Sequence, residues 1–187
     1  MRQNLKILLV ETLKKKQSLL CLLTEQGAVD YFLPALHLIQ RAKLDINCII
    51  YSSEDILKYL TATYRQILGR AVTLHLLTDD FFDNLQSLDV HPVGLISSAS
   101  GGRLRKVEHL FGEFAFQKSI PIIHLVDAFY GYKRRFITEL GPIFCTNIVV
   151  IDSIAKSEAI NEGLASEKLY VIGHPGWERL QNIGVQS

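Results

Sequence analysis

The sequence predicts a single α/β domain: one doubly wound, mainly parallel sheet with helices on both faces. Three observations predict it. Short apolar runs rich in β-branched residues alternate along the chain with longer amphipathic stretches, the pattern of repeated βαβ units. Several runs (CIIY, IIHLV, IVVI) are nearly continuous in apolar residues, as strands covered on both faces must be. The chain has 187 residues, 48% of them hydrophobic, enough for one sizeable core without disulfide or metal. No repeat and no Pro/Ser-rich linker divides it. Residues 1–174 read as the domain and 175–187 as a short helix or tail.

Strands are expected over 6–10, 18–24, 47–52, 73–77, 93–97, 120–126, 148–151 and 169–172. Helices are expected between them. Over 29–42, Tyr31, Phe32, Ala35, Leu36 and Ile39 follow a 3.6-residue period. Pro34 is expected in the first turns of that helix, where a missing N–H costs little. The helix over 54–68 follows Ser52 and Ser53, which offer an N-cap, and Gly69 ends it. The helix over 79–88 opens on Asp79 and Asp80, suited to the positive end of its dipole. The helix over 104–118 carries Val107, Leu110, Phe111 and Phe114 on one face. The helix over 154–162 follows Ser153 as cap and stops at Gly163.

Composition excludes several classes. Twenty Lys and Arg against 19 Asp and Glu give no basic excess, so nucleic acid is not an expected partner. Cys21, Cys48 and Cys145 share no CxxC spacing and read as free, core-forming thiols of a reducing compartment. No run approaches a transmembrane span and no signal peptide is evident, so a cytoplasmic protein is expected. The six histidines form no zinc-binding pattern; His37 and His124 read as core or edge histidines. No metal site and no cofactor is expected. No Gly-x-Ser-x-Gly elbow supports a hydrolase.

Ligands of an open parallel sheet bind outside the carboxyl ends of its strands, so candidate chemistry sits in those loops. After the 18–24 run, Glu25-Gln26-Gly27 offers a tight turn with a carboxylate able to act as a base. After the 93–97 run, Ser98, Ser100, Gly101, Gly102 and Arg103 offer hydroxyls, backbone N–H groups and a cation at a helix start. After the 120–126 run, Asp127 is followed by Tyr130, Tyr132, Arg134 and Arg135, a mix suited to a sugar-like or anionic ligand. After the 169–172 run, His174 stands in a Gly-His-Pro-Gly turn beside Trp177, the one tryptophan.

The C-terminal stretch TNIVVIDSIAKSEAINEGLASEKLYVIGHPGWERL resembles the end of the N-terminal domain of GT-B glycosyltransferases and of the related UDP-N-acetylglucosamine 2-epimerases. The run from Ser119-Ile120-Pro121 to Asp127, the loop 127–136, and the start CLLTEQGAVDYFLPALHLI are similar to the same fold. The Glu25-Gln26-Gly27 turn departs from the Gly-Gly-x-x-His pattern of several such families. The resemblance implies a Rossmann-like domain, the acceptor-side half of a glycosyltransferase-like or epimerase-like protein. It implies Glu25 and Asp127 as catalytic carboxylates, with the other loop residues binding ligand. It implies a nucleotide sugar and a phosphorylated or glycan acceptor as partners. A two-domain enzyme of this type needs roughly twice this length, so catalysis is expected only together with a second domain or subunit. The other expectation is a standalone, non-catalytic domain binding a nucleotide, a sugar phosphate or a protein.

Overall fold

The computed structural model describes residues 17–42, 46–69, 71–87, 92–102 and 104–177. The expected strand at 6–10 and most of the expected C-terminal tail lie outside the described residues, as does Arg103.

Seven parallel strands form one sheet: β1 (Gln17–Leu22), β2 (Ile46–Ser52), β3 (Val72–Leu76), β4 (Pro92–Ser98), β5 (Ile122–Leu125), β8 (Asn147–Val150) and β9 (Leu169–Val171). Their spatial order is β3-β2-β1-β4-β5-β8-β9. The order reverses between β1 and β4, which makes their carboxyl ends the topological switch point where such sheets bind ligands. β6 (Ile137–Thr138) and β7 (Gly141–Pro142) form a separate small antiparallel hairpin.

Helices α1 (Gln26–Arg41) and α2 (Glu54–Tyr64) share a core with one face of β1 and β2. Helices α3 (Phe81–Ser87) and α4 (Arg105–Gln117) cover the other face through Phe81, Leu85, Phe111 and Phe114. α5 (Tyr132–Phe136) and α6 (Ser153–Asn161) close the β8–β9 side, where Tyr132 and Phe136 pack with Ala155 and Ala159. The sheet is thus covered on both faces, as its apolar strands require.

Several local readings change. α1 begins three residues before the expected start, so Pro34 lies well inside the helix rather than in its first turns. The acceptor this proline frees, the Asp30 carbonyl, faces the C-terminal turn, where a Cβ on Gly176 would come within 2.7 Å of it. α2 stops at Tyr64, and residues 65–68 form turns through bonds such as Ile67 N–H to Tyr64 O (2.8 Å). Ser53 holds its N-cap position without a side-chain capping bond, while the Ser52 hydroxyl donates to Leu23 O instead. α6 is capped by Asp152, whose Oδ1 accepts from Ala155 N–H (2.8 Å), and Ser153 is its first residue. His37 is exposed on α1 rather than in the core. His124 is fully buried, and burial lowers its pKa to about 4. Cys21 and Cys48 are buried in the core with sulfurs 3.5 Å apart, while Cys145 is half-buried.

Candidate functional site

The carboxyl ends of β1, β4 and β5 converge on one region. At the end of β1, Leu23 and Thr24 are buried, and Glu25 takes the N-cap position of α1 in an extended conformation. Gly27 follows in the first turn. A methyl group there would lie 1.4 Å from Asp127 Oδ2 and 2.5 Å from its Cγ. The missing side chain therefore makes room for the carboxylate that leaves β5. Asp127 is seated against the first turn of a 16-residue helix, an end that favours negative charge. Glu25, Gly27 and Asp127 are all half-buried; Gln26 is exposed.

Arg135 reaches the same place from α5. It is 9% exposed. Its Nη1 stands 3.5 Å from Glu25 Oε2 and donates to Ala99 O, so one guanidinium ties the β1 exit to the β4 exit. Its buried Nε has no hydrogen-bond partner. Arg134 is exposed. Its Nε would lie 3.2 Å from a Cβ on Gly101 and 3.4 Å from one on Gly131, so its guanidinium rests against the backbone of both loops. Arg105 Nη1 donates to the Arg134 carbonyl (2.9 Å).

Residues 127–136 read as a loop from sequence, yet they contain the short helix α5. The residue at the C-cap of α6 explains it: the Glu162 carboxylate accepts Gly131 N–H and Lys133 N–H, both at 2.8 Å. Gly131 enters the helix at φ +76°, a conformation that favours glycine. Tyr132, expected at the ligand, is buried beneath the loop and donates its hydroxyl to Ala128 O (2.6 Å). Tyr130 and Phe129 are exposed beside it.

The β4 loop is organised by a residue that sequence reasoning did not single out. Glu108, on α4, is 0% exposed. Its Oε1 accepts from Ser98 Oγ (3.0 Å) and Thr24 Oγ1 (3.1 Å), and both its oxygens accept from Ser100 N–H (2.9 and 2.8 Å). Thr24 and Ser98 hydroxyls also meet at 2.6 Å, and Ser98 Oγ accepts Thr24 N–H (3.0 Å). Burial pushes the Glu108 pKa up to about 8, against the opposing pull of the donors at Ser100, Ser98 and Thr24. Glu108 lies in register with Phe111 and Ala115, the buried stripe of α4. A carboxylate on an apolar stripe, with hydroxyls at two neighbouring strand ends, is the signal that could have found it.

This network redirects two expected ligand groups. The Ser98 side chain is fully buried and its bonds are internal. Ser100 N–H serves Glu108, and Ser100 Oγ accepts Gly102 N–H (3.1 Å). The loop's N–H groups at Ser100 and Gly102 are therefore spent within the fold, while Gly101 is half-buried and Gly102 exposed.

His174 is 8% exposed and sits apart from the arginines, against α1. It stacks on Trp177 (centroids 4.8 Å, interplanar 12°) and leans on Tyr31 (4.8 Å, 60°). The Tyr31 hydroxyl donates to Gly173 O. Burial lowers the His174 pKa, with Asp127 and Asp30 opposing it; burial and the Asp127 charge both raise the Tyr31 pKa. Asp127 is thus the electrostatic neighbour common to the α1 start and the C-terminal turn. Among the described residues no group of His, Cys, Asp and Glu is arranged to hold a metal ion, and no helix is long and apolar enough to cross a membrane.

No family model and no curated protein matches the sequence. Solved structures do match the fold. The UDP-GlcNAc 2-epimerase from Methanocaldococcus jannaschii superposes with a TM-score of 0.62 at 14% identity, over 89% of this chain and 48% of that one. The UDP-GlcNAc 2-epimerase from Neisseria meningitidis, bound to UDP-GlcNAc, gives 0.59 at 13% identity, over 91% and 51%. UGT89C1 from Arabidopsis thaliana, complexed with UDP, gives 0.54 at 12% identity, over 84% and 49%. The chain spans about half the length of these solved chains. The chain therefore carries the Rossmann-like α/β fold that these epimerase and GT-B glycosyltransferase structures share.

Proposed function

We propose that this chain is the acceptor-side half of a GT-B-type glycosyltransferase-like protein, its cleft lying at the carboxyl ends of β1, β4 and β5. A second half, on a further domain or subunit, supplies the nucleotide-sugar site. The observation that carries the reading is the seat of Asp127: a glycine is required opposite it, in the first turn of a helix at the strand ends. Of the two candidate carboxylates, Glu25 is held by Arg135 at 3.5 Å, whereas no ion pair to Asp127 is found among the described residues. Asp127 is accordingly the general base that takes the proton of an acceptor hydroxyl, and Glu25 orients the Arg135 guanidinium. Exposed Phe129 and Tyr130 offer faces on which a sugar ring stacks.

The test is a transfer assay on the chain joined to its second half. Asp127→Asn keeps the volume and removes the base, and is expected to lower kcat at least 100-fold with little change in acceptor KM. An unaltered kcat removes Asp127 from that role. Binding of a small ligand by the chain with no partner and no transfer would support the standalone reading.

A further inference from the structure

We propose that Arg134 and Arg105, at the rim of this cleft, bind a phosphoryl group carried by the ligand; the inference rests on the strand-end cleft being the ligand site. Arg134 is exposed, yet its guanidinium is not adrift. It rests on Gly101, where a Cβ would come within 3.2 Å of Nε and 3.3 Å of Nη2, and on Gly131 at 3.4 Å. One planar cation thus lies against two glycines, one in the loop after β4 and one in the loop after β5. Arg105 joins it by donating to its carbonyl, and as the first residue of the 13-residue α4 it brings that helix's positive end.

Three of the acids nearby are engaged elsewhere, and Asp127 is seated against Gly27 on α1. Glu25 faces Arg135. Glu162 takes Gly131 and Lys133 N–H groups. Glu108 is buried under Ser100. Among the described residues neither Arg134 nor Arg105 has a carboxylate within ion-pair distance. The backbone N–H groups of Ser100 and Gly102 are occupied within the fold, which leaves the guanidinium groups as the main donors at this rim. Two fixed forks match the oxygens of a tetrahedral phosphoryl group better than flexible ammonium groups would.

The experiment is isothermal titration of the full chain at low salt with inorganic phosphate, glucose 1-phosphate and glucose. Both phosphates are expected to bind, and glucose far more weakly. Arg134→Ala should weaken both phosphates at least 10-fold. Arg134→Lys, which keeps the charge and loses the fork, should recover only part of it. Gly101→Ala leaves every charge in place and displaces the guanidinium by only a few tenths of an ångström, so it should weaken both phosphates less than Arg134→Ala does. Wild-type phosphate affinity in Arg134→Ala overturns the proposal, as does full recovery in Arg134→Lys, the mark of a diffuse basic surface. Asp127→Asn separates the two readings. Loss of glucose 1-phosphate affinity there, with none in Arg134→Ala, keeps the cleft and rejects the phosphoryl site. Glucose 1-phosphate binding indifferent to both variants rejects both.

Discussion

Glu108 makes a linkage prediction whose sign and size follow from its burial. Its folded pKa of about 8 stands above the ordinary 4.5 of a free glutamate. Between those values the folded chain holds a proton that the unfolded chain has released, so stability is fully present below about pH 4.5 and is lost as pH rises toward 8. The slope is about 1.4 kcal/mol per pH unit, or about 3 kcal/mol between pH 5 and pH 7. His124 opposes it. Burial lowers its pKa from 6.5 to about 4, so the unfolded chain binds the extra proton and stability rises with pH over that interval. Across pH 5 to 6.5 the two slopes nearly cancel in the wild type, and a simple pH–stability curve would hide both.

Glu108→Gln separates them. The amide cannot ionise, so the His124 slope remains and the Glu108 slope disappears. The amide also sets an NH2 where a carboxyl oxygen accepts Ser100 N–H at 2.8 Å, a cost on the order of 1–3 kcal/mol that hardly depends on pH. Urea unfolding of both proteins at pH 5, 6 and 7, followed by circular dichroism, yields the difference in unfolding free energy at each pH. That difference should shrink by about 3 kcal/mol from pH 5 to pH 7. A difference constant across the range would refute the reasoning and show that the donors around Glu108 keep it ionised in both states.

Other outcomes follow from single contacts. Gly27→Ala should leave the melting temperature nearly unchanged, because Asp127 can swing away, yet abolish transfer by the assembled protein; retained activity at a normal rate would mean that the Asp127 seat is not used. Gly176→Ala presses a methyl against the Asp30 carbonyl, which cannot move without α1. It should lift the C-terminal turn and shift the emission of Trp177, and an unchanged spectrum would argue against that packing. Asp152→Ala should cost about 1 kcal/mol in denaturant unfolding through the lost α6 cap, and no measurable loss would show that the cap is dispensable.

Much of the fold was legible because the parallel strands advertise themselves. Near-continuous runs such as those of β5 and β8 suit strands covered on both faces, and the acids at 79–80 and Gly163 lie close to helix ends, whereas Gly69 lies well past the end of α2. The strand-end rule likewise brought Glu25, Asp127 and Arg135 to one place. What escaped was long-range. The α5 turn depends on Glu162, about 30 residues on, and no local pattern announces it. Pro34 misled because the acceptor it frees faces Gly176, a contact only the tertiary fold creates. Tyr132 looked like a ligand contact by composition, but burial against α6 took it under the loop. Ser98 and Ser100 looked like ligand donors because hydroxyls near a Gly-Gly turn usually face outward; a buried carboxylate drew them in.

The place of β1 in the sheet also shapes how the chain can fold. β1 pairs with β2 after a short crossover, but its other edge waits for β4, about 70 residues further along. During vectorial synthesis, this central strand therefore stands with one row of backbone donors and acceptors open while α1, β2, α2, β3 and α3 are made. Parallel pairing of such high sequence separation is slow, and an open strand of that kind is a template for pairing with another chain. The step that seals β1 against β4 is also the step that brings Thr24 to Ser98 and Glu108. Refolding yield should therefore fall with protein concentration until that seam closes, and the seam closes at the strand ends where the cleft is proposed.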